Sequence, residues 1–329
     1  MSEHDITFDA MGSHVRLLIG EPGTGLAPAA EAAERARRFI HGFDAALSRF
    51  KPESELCALN RDRRERVPAS PLLRQAVSAG LAAAERSDGL VDPTLLGAIE
   101  DAGYTISRAG MSGMPLTEAL AEAPPRHPAH PSPDQSWRRF EIDDAAGEIV
   151  RPAGLGFDTG GTGKGLAADL VAASLRGYSR FTVDCGGDIR IGGADALVHP
   201  YEVFVEHPLT GERAYVVRLG SGGVATSGLN VRIWRRADGR YSHHLLDPAT
   251  GEPAWTGLVG ATALADTALE AETLSKAALL SGPERARELF AERGGLIVHD
   301  GGRVELVGPL AAAPRIRIPA DAGLAGVAR

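Results

Sequence analysis

Apolar residues recur along this chain at two spacings, which separate predicted helices from predicted strands. In residues 28–50 and 71–86 they return at helical spacing, which places them on one face of a helix. Pro28 suits the first turn of the earlier helix, because no N–H is needed there. Residues 5–20 alternate between apolar and polar positions, which predicts a pair of strands. The first third of the chain is therefore predicted to be largely helical after an initial strand pair.

The second half of the chain carries short apolar runs separated by turn residues. Strands are predicted at 139–142, 180–184, 201–206, 214–219, 231–235, 240–244 and 259–264. The triplet Ala237-Asp238-Gly239 marks a hairpin turn. Helices are predicted over 267–280 and 283–293, followed by a last hairpin through 296–306. The sequence shows no internal repeat of fixed period.

Residues 105–135 differ in character, because proline, alanine and histidine dominate their second half. Such a stretch cannot bury enough apolar surface to fold alone, and we expect a mobile loop. His127 and His130 within it are expected to be solvated.

Composition limits the partners and the location of the protein. At 329 residues the chain is long enough for one large or two modest domains, and its net charge of −8 argues against nucleic acid or an anionic membrane as partner. No apolar run approaches the roughly 18 residues that span a bilayer. The N-terminal residues also lack a signal-peptide pattern and a lipobox cysteine. We therefore expect a cytoplasmic protein without a membrane segment. The two cysteines of the chain, Cys57 and Cys185, are expected to be small buried residues.

A glycine-rich run at residues 155–165 is the strongest chemical signal. It reads Leu-Gly-Phe-Asp-Thr-Gly-Gly-Thr-Gly-Lys-Gly and leads into a helical pattern. Glycines let the backbone approach a ligand, and N–H groups at a helix start attract anions, so the run predicts a pyrophosphate site. It matches neither the P-loop, which needs a glycine at Asp158 and a hydroxyl residue at Gly165, nor the G-x-G-x-x-G pattern. A turn that only packs a helix on a strand is the alternative.

Further motifs accompany this run in a fixed order. They are Met11-Gly12-Ser13, Leu47-Ser48-Arg49-Phe50-Lys51-Pro52-Glu53-Ser54-Glu55-Leu56, Leu59-Asn60, Val91-Asp92-Pro93-Thr94, the glycine run, Val183-Asp184-Cys185-Gly186-Gly187-Asp188-Ile189, Val224-Ala225-Thr226-Ser227-Gly228, and His243-His244-Leu245-Leu246-Asp247-Pro248-Ala249-Thr250-Gly251. Together they resemble the FAD:protein FMN transferases, the ApbE-type flavin transferases. The resemblance extends from about residue 8 to about residue 281.

The resemblance implies a single ApbE-like domain over residues 1–329, with a mixed α/β fold, mixed sheets, flanking helices and an FAD cleft. It implies an enzyme that binds FAD and, with a divalent metal such as Mg²⁺, breaks its pyrophosphate. The family attaches FMN by a phosphoester bond to a Ser or Thr hydroxyl of a target flavoprotein and releases AMP. Because this is phosphoryl transfer, catalysis should come mostly from positioning and from neutralising phosphate charge.

Site residues are inferred from positions that match the family motifs. Those expected to bind FAD are Met11, Phe50, Val91, Asp92, Pro93, Thr94, Asp158, Gly160, Gly161, Lys164, Asp184, Thr226, Ser227, His244 and Leu245. Phe50 stands at an aromatic position, where a flat ring could stack on a ring of FAD. Lys164 would lie beside the phosphates as a point charge. His244 matches the histidine of H-I-x-D-P-x-T-G, where it could relay the hydroxyl proton or donate to a phosphate.

Several of these residues have an ordinary structural alternative. Phe50 could be a core residue, Asp92 could form an Asx-Pro turn, and His244 could hold the turn that follows it. Asp184 and Asp188 border a turn, and either could contact the ligand or cap that turn. The sequence leaves these alternatives open.

The expected metal site departs from the family pattern. The family carries A-D-x-x-x-T, whose Asp and Thr oxygens bind the metal with a backbone carbonyl that matches Gly163 here. In this chain the Asp is Glu272 and the Thr is Lys276, and an ammonium cannot ligate a cation. The two residues could form an ordinary i, i+4 pair, or the ammonium could take the place of the metal and supply part of its charge. The nearby carboxylates of Asp266 and Glu270 leave a displaced metal site open.

The sequence thus predicts an FAD-binding flavin transferase in which His244, Lys164, Glu272 and Lys276 take part in catalysis. Two other functions stay open: an FAD-binding protein without transferase activity, suggested by the residue at position 276, and an FAD pyrophosphatase that yields FMN and AMP. A P-loop-like NTPase is disfavoured by the failed motif.

Overall fold

The computed structural model describes residues 3–108, 110–111 and 113–312. Residues 1–2, 109, 112 and 313–329, which the predicted single domain includes, lie outside the described residues. The strands are β1 His4–Ala10, β2 Ser13–Ile19, β3 Arg66–Pro68, β4 Glu141–Asp143, β5 Glu148–Val150, β6 Phe181–Cys185, β7 Asp188–Gly192, β8 Tyr201–Glu206, β9 Arg213–Leu219, β10 Gly222–Gly228, β11 Ile233–Arg235, β12 Tyr241–His243, β13 Leu258–Ala265, β14 Gly295–His299 and β15 Val304–Val307.

The helices of the described residues are interspersed with these strands along the chain. They are α1 Ala29–Leu47, α2 Glu55–Arg61, α3 Pro71–Arg86, α4 Leu96–Asp101, α5 Leu116–Glu122, α6 Gly163–Ser174, α7 Ala194–Val198, α8 Ala268–Phe290 and α9 Pro309–Ala312, with a short 3₁₀ helix at Ser136–Arg139. Helices α1 and α3 match the predictions over 28–50 and 71–86. Helix α8 covers both predicted C-terminal helices. The two predicted helices correspond to its two parts, which meet at a kink at Gly282, whose φ of 79° is not helical, and at the following Pro283.

One large sheet organises the fold. Eight strands form it in the order β1-β2-β6-β7-β10-β13-β14-β15, and all pairings between described strands are antiparallel. Helices and strands share one fold, as the mixed α/β class predicts, and the strands of its large sheet are antiparallel. Tight turns after β1, β6 and β14 reverse the chain and so pair consecutive strands antiparallel.

Helices α6 and α8 cross closely at Gly165 on one face of this sheet. Helix α8 packs on β10 and β13, and α6 packs on β6 and β7. A Cβ atom at Gly165 would lie 2.7 Å from the Cα of Leu269, so only glycine allows this approach. The crossing places the N-terminus of α6, where the glycine run ends, beside the first turns of α8.

The proline-rich segment is more structured than the sequence predicts. It contains α5, whose Leu116 and Ala119 are buried. The Ala129 N–H donates to the Leu280 carbonyl, and the His130 N–H donates to Asp247 Oδ1. The prediction of one loop over 105–135 is therefore wrong in part, because backbone hydrogen bonds to distant elements replace an independent core. The side chains of His127 and His130 are exposed, as predicted.

The chain contains strands and a cysteine environment that the sequence did not predict. Strands β7 and β10 fell among glycine-rich motifs, which lack the usual apolar alternation. Both cysteines are free; Cys185 is buried as predicted, but Cys57 is only half-buried. The Cys57 thiol faces the turn after α1, where it donates to the Arg49 carbonyl at 3.3 Å.

A buried arginine ties the segment before the glycine run to α2. Arg151 is 2% exposed, and its guanidinium donates to the carbonyls of Leu59, Asp62, Pro152 and Leu155 at 2.7–3.3 Å. Burial lowers the pKa of Arg151 from its ordinary value, while the nearby Asp62 carboxylate opposes that shift. These contacts fix the start of the glycine run relative to the end of α2.

We expect Arg151→Met to lower the free energy of unfolding by about 3 kcal/mol, since several buried carbonyls would lose a charged donor. Urea denaturation of the purified protein measures the change. Arg138→Met is the matched control, because Arg138 is exposed and lies on the short 3₁₀ helix. Equal stability of the two variants would contradict the assigned role of Arg151.

Candidate functional site

A single large cavity collects most of the predicted site residues. Its volume is about 1470 Å³, and it lies between the end of α1, the Val91–Pro93 loop, the glycine run and the segment after β12. The predicted residues that line it are Met11, Phe50, Val91, Asp92, Pro93, Asp158, Gly160, Gly161, Gly163, Lys164, Asp184, His244, Leu245 and Lys276. Residues from distant parts of the sequence thus meet at one concave surface, as a ligand site requires.

Four predicted residues are not part of the cavity lining. Thr94 lies behind Asp92 and donates its N–H and its hydroxyl to Asp92 Oδ1. Ser227 points to α8, where its hydroxyl meets the Ser275 hydroxyl at 2.8 Å, and Thr226 points to the opposite face of β10. The expectation that these three line the cleft is therefore not met, because strand alternation and the Asx turn direct their side chains elsewhere. The fourth residue is Glu272, which lies behind the glycine run.

The glycine run forms a turn that opens α6 toward the cavity. Asp158 Oδ1 accepts the Gly160 N–H at 3.1 Å, and the Gly163 N–H donates to the Thr159 carbonyl at 2.8 Å. Helix α6 starts at Gly163 without a side-chain cap from Thr162. The positive end of a helix dipole therefore borders the cavity at Gly163 and Lys164, as a phosphate site requires.

Lys164 is held at the cavity wall by a buried carboxylate. Its Nζ lies 2.5 Å from Asp188 Oδ2 and 3.3 Å from the Gly186 carbonyl, and Asp188 is 1% exposed. Burial lowers the pKa of Lys164, but the Asp188 and Glu272 carboxylates outweigh it and leave that pKa raised. The Lys164 ammonium is thus kept charged at the N-terminus of α6.

The two aspartates of the β6–β7 turn have different roles. Asp184 Oδ1 accepts the Gly187 N–H at 2.8 Å, so Asp184 caps the turn while also lining the cavity. Burial raises the pKa of Asp184. Asp188 holds Lys164 instead and does not line the cavity.

Glu272 connects α8 to the start of α6. It is 0% exposed; Oε2 accepts the Gly165 N–H at 2.8 Å and Oε1 accepts from Lys276 Nζ at 2.8 Å. Burial raises the pKa of Glu272 to about 7, and Asp188 adds to that shift, while Lys276 and Lys164 oppose it. Glu272 and Lys276 are therefore a buried pair below the glycine run rather than a solvated pair on a helix surface.

These residues do not fit a divalent cation at Glu272. A hard cation needs several oxygen ligands, but both oxygens of Glu272 already accept from N–H donors, one of them an ammonium. The Asp188 carboxylate is paired with Lys164. Asp266 binds Arg293 and Glu270 binds Arg86, so neither of them supplies a displaced site. Among the described residues, no group of three or more His, Cys, Asp or Glu side chains could hold a metal ion.

All three lysines of the chain line this one cavity. They are Lys51, Lys164 and Lys276. The chain has 35 lysines and arginines in all, and the rest of them are arginines. Lys51 lies at the rim, 39% exposed, with its Nζ 2.6 Å from Asp44 Oδ2. Three compact ammonium groups therefore lie in the cavity. Unlike the planar guanidinium of arginine, an ammonium can orient its N–H donors freely toward phosphate oxygens.

An aromatic and arginine wall closes another side of the cavity. The Phe50 ring packs on Tyr104 at 5.3 Å, and Tyr104 stacks on Trp234 at 5.4 Å. The Arg49 guanidinium lies 4.2 Å from the Phe50 ring centre and 4.6 Å from that of Tyr104. Flat faces of this kind suit an aromatic ligand ring. Sequence reasoning identified Phe50 only, because the contacts of Tyr104 and Arg49 depend on tertiary packing.

The loop at Val91–Pro93 is fixed from both sides. The Val91 N–H donates to Ser87 Oγ at 2.9 Å, and the Pro93 carbonyl accepts the Asp158 N–H at 2.8 Å. Asp92 forms the Asx turn described above, and its Oδ2 is buried with no hydrogen-bond partner among the described residues. Burial raises the pKa of Asp92. Asp92 thus combines the turn role with a free oxygen in the cavity wall.

Met11 contributes to the cavity from an unusual backbone conformation. It forms the two-residue turn between β1 and β2 with Gly12, and their φ angles are 53° and 68°. Two positive φ angles fit the twist of a hairpin, but this conformation costs energy at a methionine. Despite this cost the chain has a methionine here, and its flexible thioether side chain lines the cavity.

The side chains of two adjacent histidines at the end of β12 have different surroundings. His243 is fully buried, its ring meets Trp255 edge-on at 4.7 Å, and its Nδ1 accepts the Leu245 N–H. His244 lines the cavity instead, and its Nδ1 is buried without a hydrogen-bond partner among the described residues. Burial, together with the charges of Arg232 and Lys276, holds the pKa of His244 well below its usual range. A neutral imidazole therefore faces the site.

The chain is similar to flavin transferases in sequence and in structure. It is 28% identical to FAD:protein FMN transferases of Salmonella typhimurium, over 81% of this chain and 75% of that one, and of Escherichia coli K12, over 86% and 80%. The structure superposes on the ApbE protein of Thermotoga maritima with a TM-score of 0.74 and 26% identity, covering 93% of this chain and 97% of the other. A Pseudomonas stutzeri flavinyl transferase gives a TM-score of 0.72 at 23% identity, covering 93% and 95%.

These similarities confirm the family resemblance that the motifs predict. The four proteins span most of the chain rather than an isolated motif. A sequence profile described as the ApbE family matches residues 11–298, and the chain therefore belongs to the ApbE family.

Proposed function

We propose that this protein is an FAD-binding flavin transferase that moves FMN from FAD to a serine or threonine hydroxyl of a target flavoprotein and releases AMP. The observation that carries the proposal is that the glycine run, Lys164 and His244 line one cavity. The end of α6, His244 and the Phe50 and Tyr104 rings border this cavity, and this supports a site for a pyrophosphate, a proton acceptor and an aromatic ring. The names of the similar proteins supply the donor and the transferred group.

The chemistry assigns one task to each part of the cavity. The acceptor oxygen bonds to the phosphorus on the flavin side, the bond from that phosphorus to the bridging oxygen breaks, and AMP leaves with the bridging oxygen. His244 takes the hydroxyl proton, because its neutral imidazole has a free lone pair. The end of α6 and the lysines neutralise phosphate charge, since Glu272 does not fit a divalent cation.

Two tests distinguish this function from the alternatives. Pure protein is incubated with FAD, with and without a flavoprotein that serves as acceptor for the Escherichia coli transferase. The first readout is AMP release, and the second is fluorescence of flavin bound covalently to the acceptor. Transfer requires both AMP release and flavin bound to the denatured acceptor. Release of AMP and FMN without an acceptor would instead identify a pyrophosphatase, and FAD retention without AMP would identify a binding protein.

The FAD site itself is tested by removing a stacking ring and a phosphate charge. We expect the Lys164→Ala, Phe50→Ala double variant to bind FAD at least about tenfold more weakly than wild type, because stacking on an aromatic ring contributes about 1–3 kcal/mol per base. Flavin fluorescence titration measures the affinity. Phe39→Ala is the control, since Phe39 is exposed and lies outside the cavity. Equal FAD affinity of the double variant and wild type would exclude this site.

The cytoplasmic location stays a prediction. In the part of the chain that the structure describes, no helix combines the length and the apolar character needed to cross a bilayer. The acceptor that we propose is a flavoprotein that offers a serine or threonine hydroxyl.

A further inference from the structure

Lys276 occupies the space directly behind the glycine run. Its Cδ lies 3.9 Å from the position that a Cβ atom of Gly161 would take, and its side chain is 13% exposed. The Nζ is anchored on Glu272 Oε1 at 2.8 Å and borders the cavity. An ammonium is thus held beside the glycine run at the cavity wall.

The anchoring leaves this ammonium free to bind an anion. An ammonium has three N–H donors, and the structure shows one of those of Lys276 used, by Glu272. Lys164 is held in the same way, with its Nζ between Asp188 and the Gly186 carbonyl. Each lysine is therefore positioned by a buried carboxylate on one side and faces the cavity on the other.

A divalent cation has no equivalent place in this arrangement. It would compete with the Gly165 N–H and the Lys276 ammonium for the same two oxygens of Glu272, and it would be repelled by that ammonium. The Gly165 N–H cannot withdraw, because Gly165 lies at the close crossing of α6 and α8.

We propose that Lys276, together with Lys164, binds the pyrophosphate of FAD directly, so that this chain binds FAD without a divalent metal. The inference rests on the proposed function only in taking FAD as the ligand. Lys276 donates to a phosphate oxygen while Glu272 keeps the ammonium in place, and the charge that a metal would supply comes from two fixed lysines.

The first experiment measures FAD affinity by isothermal titration calorimetry in excess EDTA and in excess Mg²⁺. Wild type is expected to bind FAD with affinities that agree within about twofold in the two buffers, because two ammonium groups already neutralise the phosphates. A loss of tenfold or more in EDTA would overturn the inference and leave the proposed function intact. Failure to bind FAD in either buffer would overturn both.

The second experiment removes the charge of Lys276 and compares two ligands. In EDTA, Lys276→Ala and Lys276→Gln are each expected to weaken FAD binding by about tenfold to a hundredfold, the usual effect of losing a charged hydrogen bond. Glutamine retains a donor for Glu272, so a fold-preserving result is available even if alanine destabilises the protein. Riboflavin has no phosphate, and its affinity should stay unchanged. An equal loss for riboflavin and FAD, or no loss for FAD, would contradict direct phosphate binding.

Matched variants separate this effect from general loss of charge and from a hidden metal site. Arg35→Ala removes an exposed cation that is already paired with Glu31 and lies outside the cavity, and it should change FAD affinity less than threefold. The Glu272→Asp, Lys276→Thr double variant presents two oxygen ligands, and we expect its FAD affinity to fall in EDTA and recover with Mg²⁺. Titration with Mn²⁺ followed by electron paramagnetic resonance should show ion binding by the FAD-loaded double variant and none by wild type. Tight Mn²⁺ binding by wild type would overturn the inference.

Discussion

His244→Ala is expected to lower the rate of FMN transfer by about 10² to 10⁴ while FAD affinity changes little, because general-base assistance contributes that much to a rate. His244 lines the cavity, and its Nδ1 has no partner among the described residues. Single-turnover transfer and FAD titration on the same preparation separate the two quantities. His199→Ala is the control, since His199 is exposed and does not border the cavity.

The pH dependence of the same step gives an independent test of His244. Its pKa lies well below the usual 6.5, because burial and the charges of Arg232 and Lys276 disfavour the protonated ring. The ring should therefore be neutral on both sides of pH 6.5, and the transfer rate should show no break there. Protonation at lower pH removes the lone pair, so the rate should fall only on stronger acidification. A histidine-dependent break near pH 6.5, or equal loss of binding and rate in the alanine variant, would assign His244 a different role.

Glu272→Ala is expected to lower the free energy of unfolding by about 3 kcal/mol or more, because it removes one partner of a buried ion pair. The Lys276 ammonium, 13% exposed, would lose its anchor, and the Gly165 N–H would lose its acceptor. Urea denaturation at neutral pH measures the loss.

A carboxylate on the same helix provides the comparison. Glu270 is paired with the exposed Arg86 at 3.1 Å, and exposed pairs contribute about 0–1 kcal/mol, so Glu270→Ala should cost no more than that. If the two variants were equally stable, the link between α6 and α8 through Glu272 would not hold.

The sequence predicted those parts of the fold that depend on neighbouring residues. The amphipathic spacing over 71–86 matches α3, and the Gly282-Pro283 pair marks the break in α8. Strand β10 could not be recognised in this way, because Gly222–Gly228 has little apolar alternation and is a strand only through pairing with β7 and β13. Family motifs identified the cavity residues, but they could not show which side of β10 each residue faces.

The interactions that define the cavity depend on packing between distant segments. The spacing of Glu272 and Lys276 allowed both a surface pair and an internal one, and the burial of Glu272 decides for the internal one. Its second partner, Gly165, comes from another helix and gave no signal in the sequence. Tyr104 likewise meets Phe50 only because the chain folds back on itself.

The confinement of all three lysines to the cavity has a practical consequence for handling this protein. Amine-directed reagents, such as succinimidyl dyes, aldehyde fixatives and the carboxymethyl-dextran surfaces of biosensors, will react at the chain's N-terminus or inside the cleft. Coupling through lysine would therefore block the cavity, whereas attachment through an affinity tag leaves the amines untouched. The arginine-rich exterior keeps its charge under all of these reagents, so solubility after labelling gives no warning that the site has been lost.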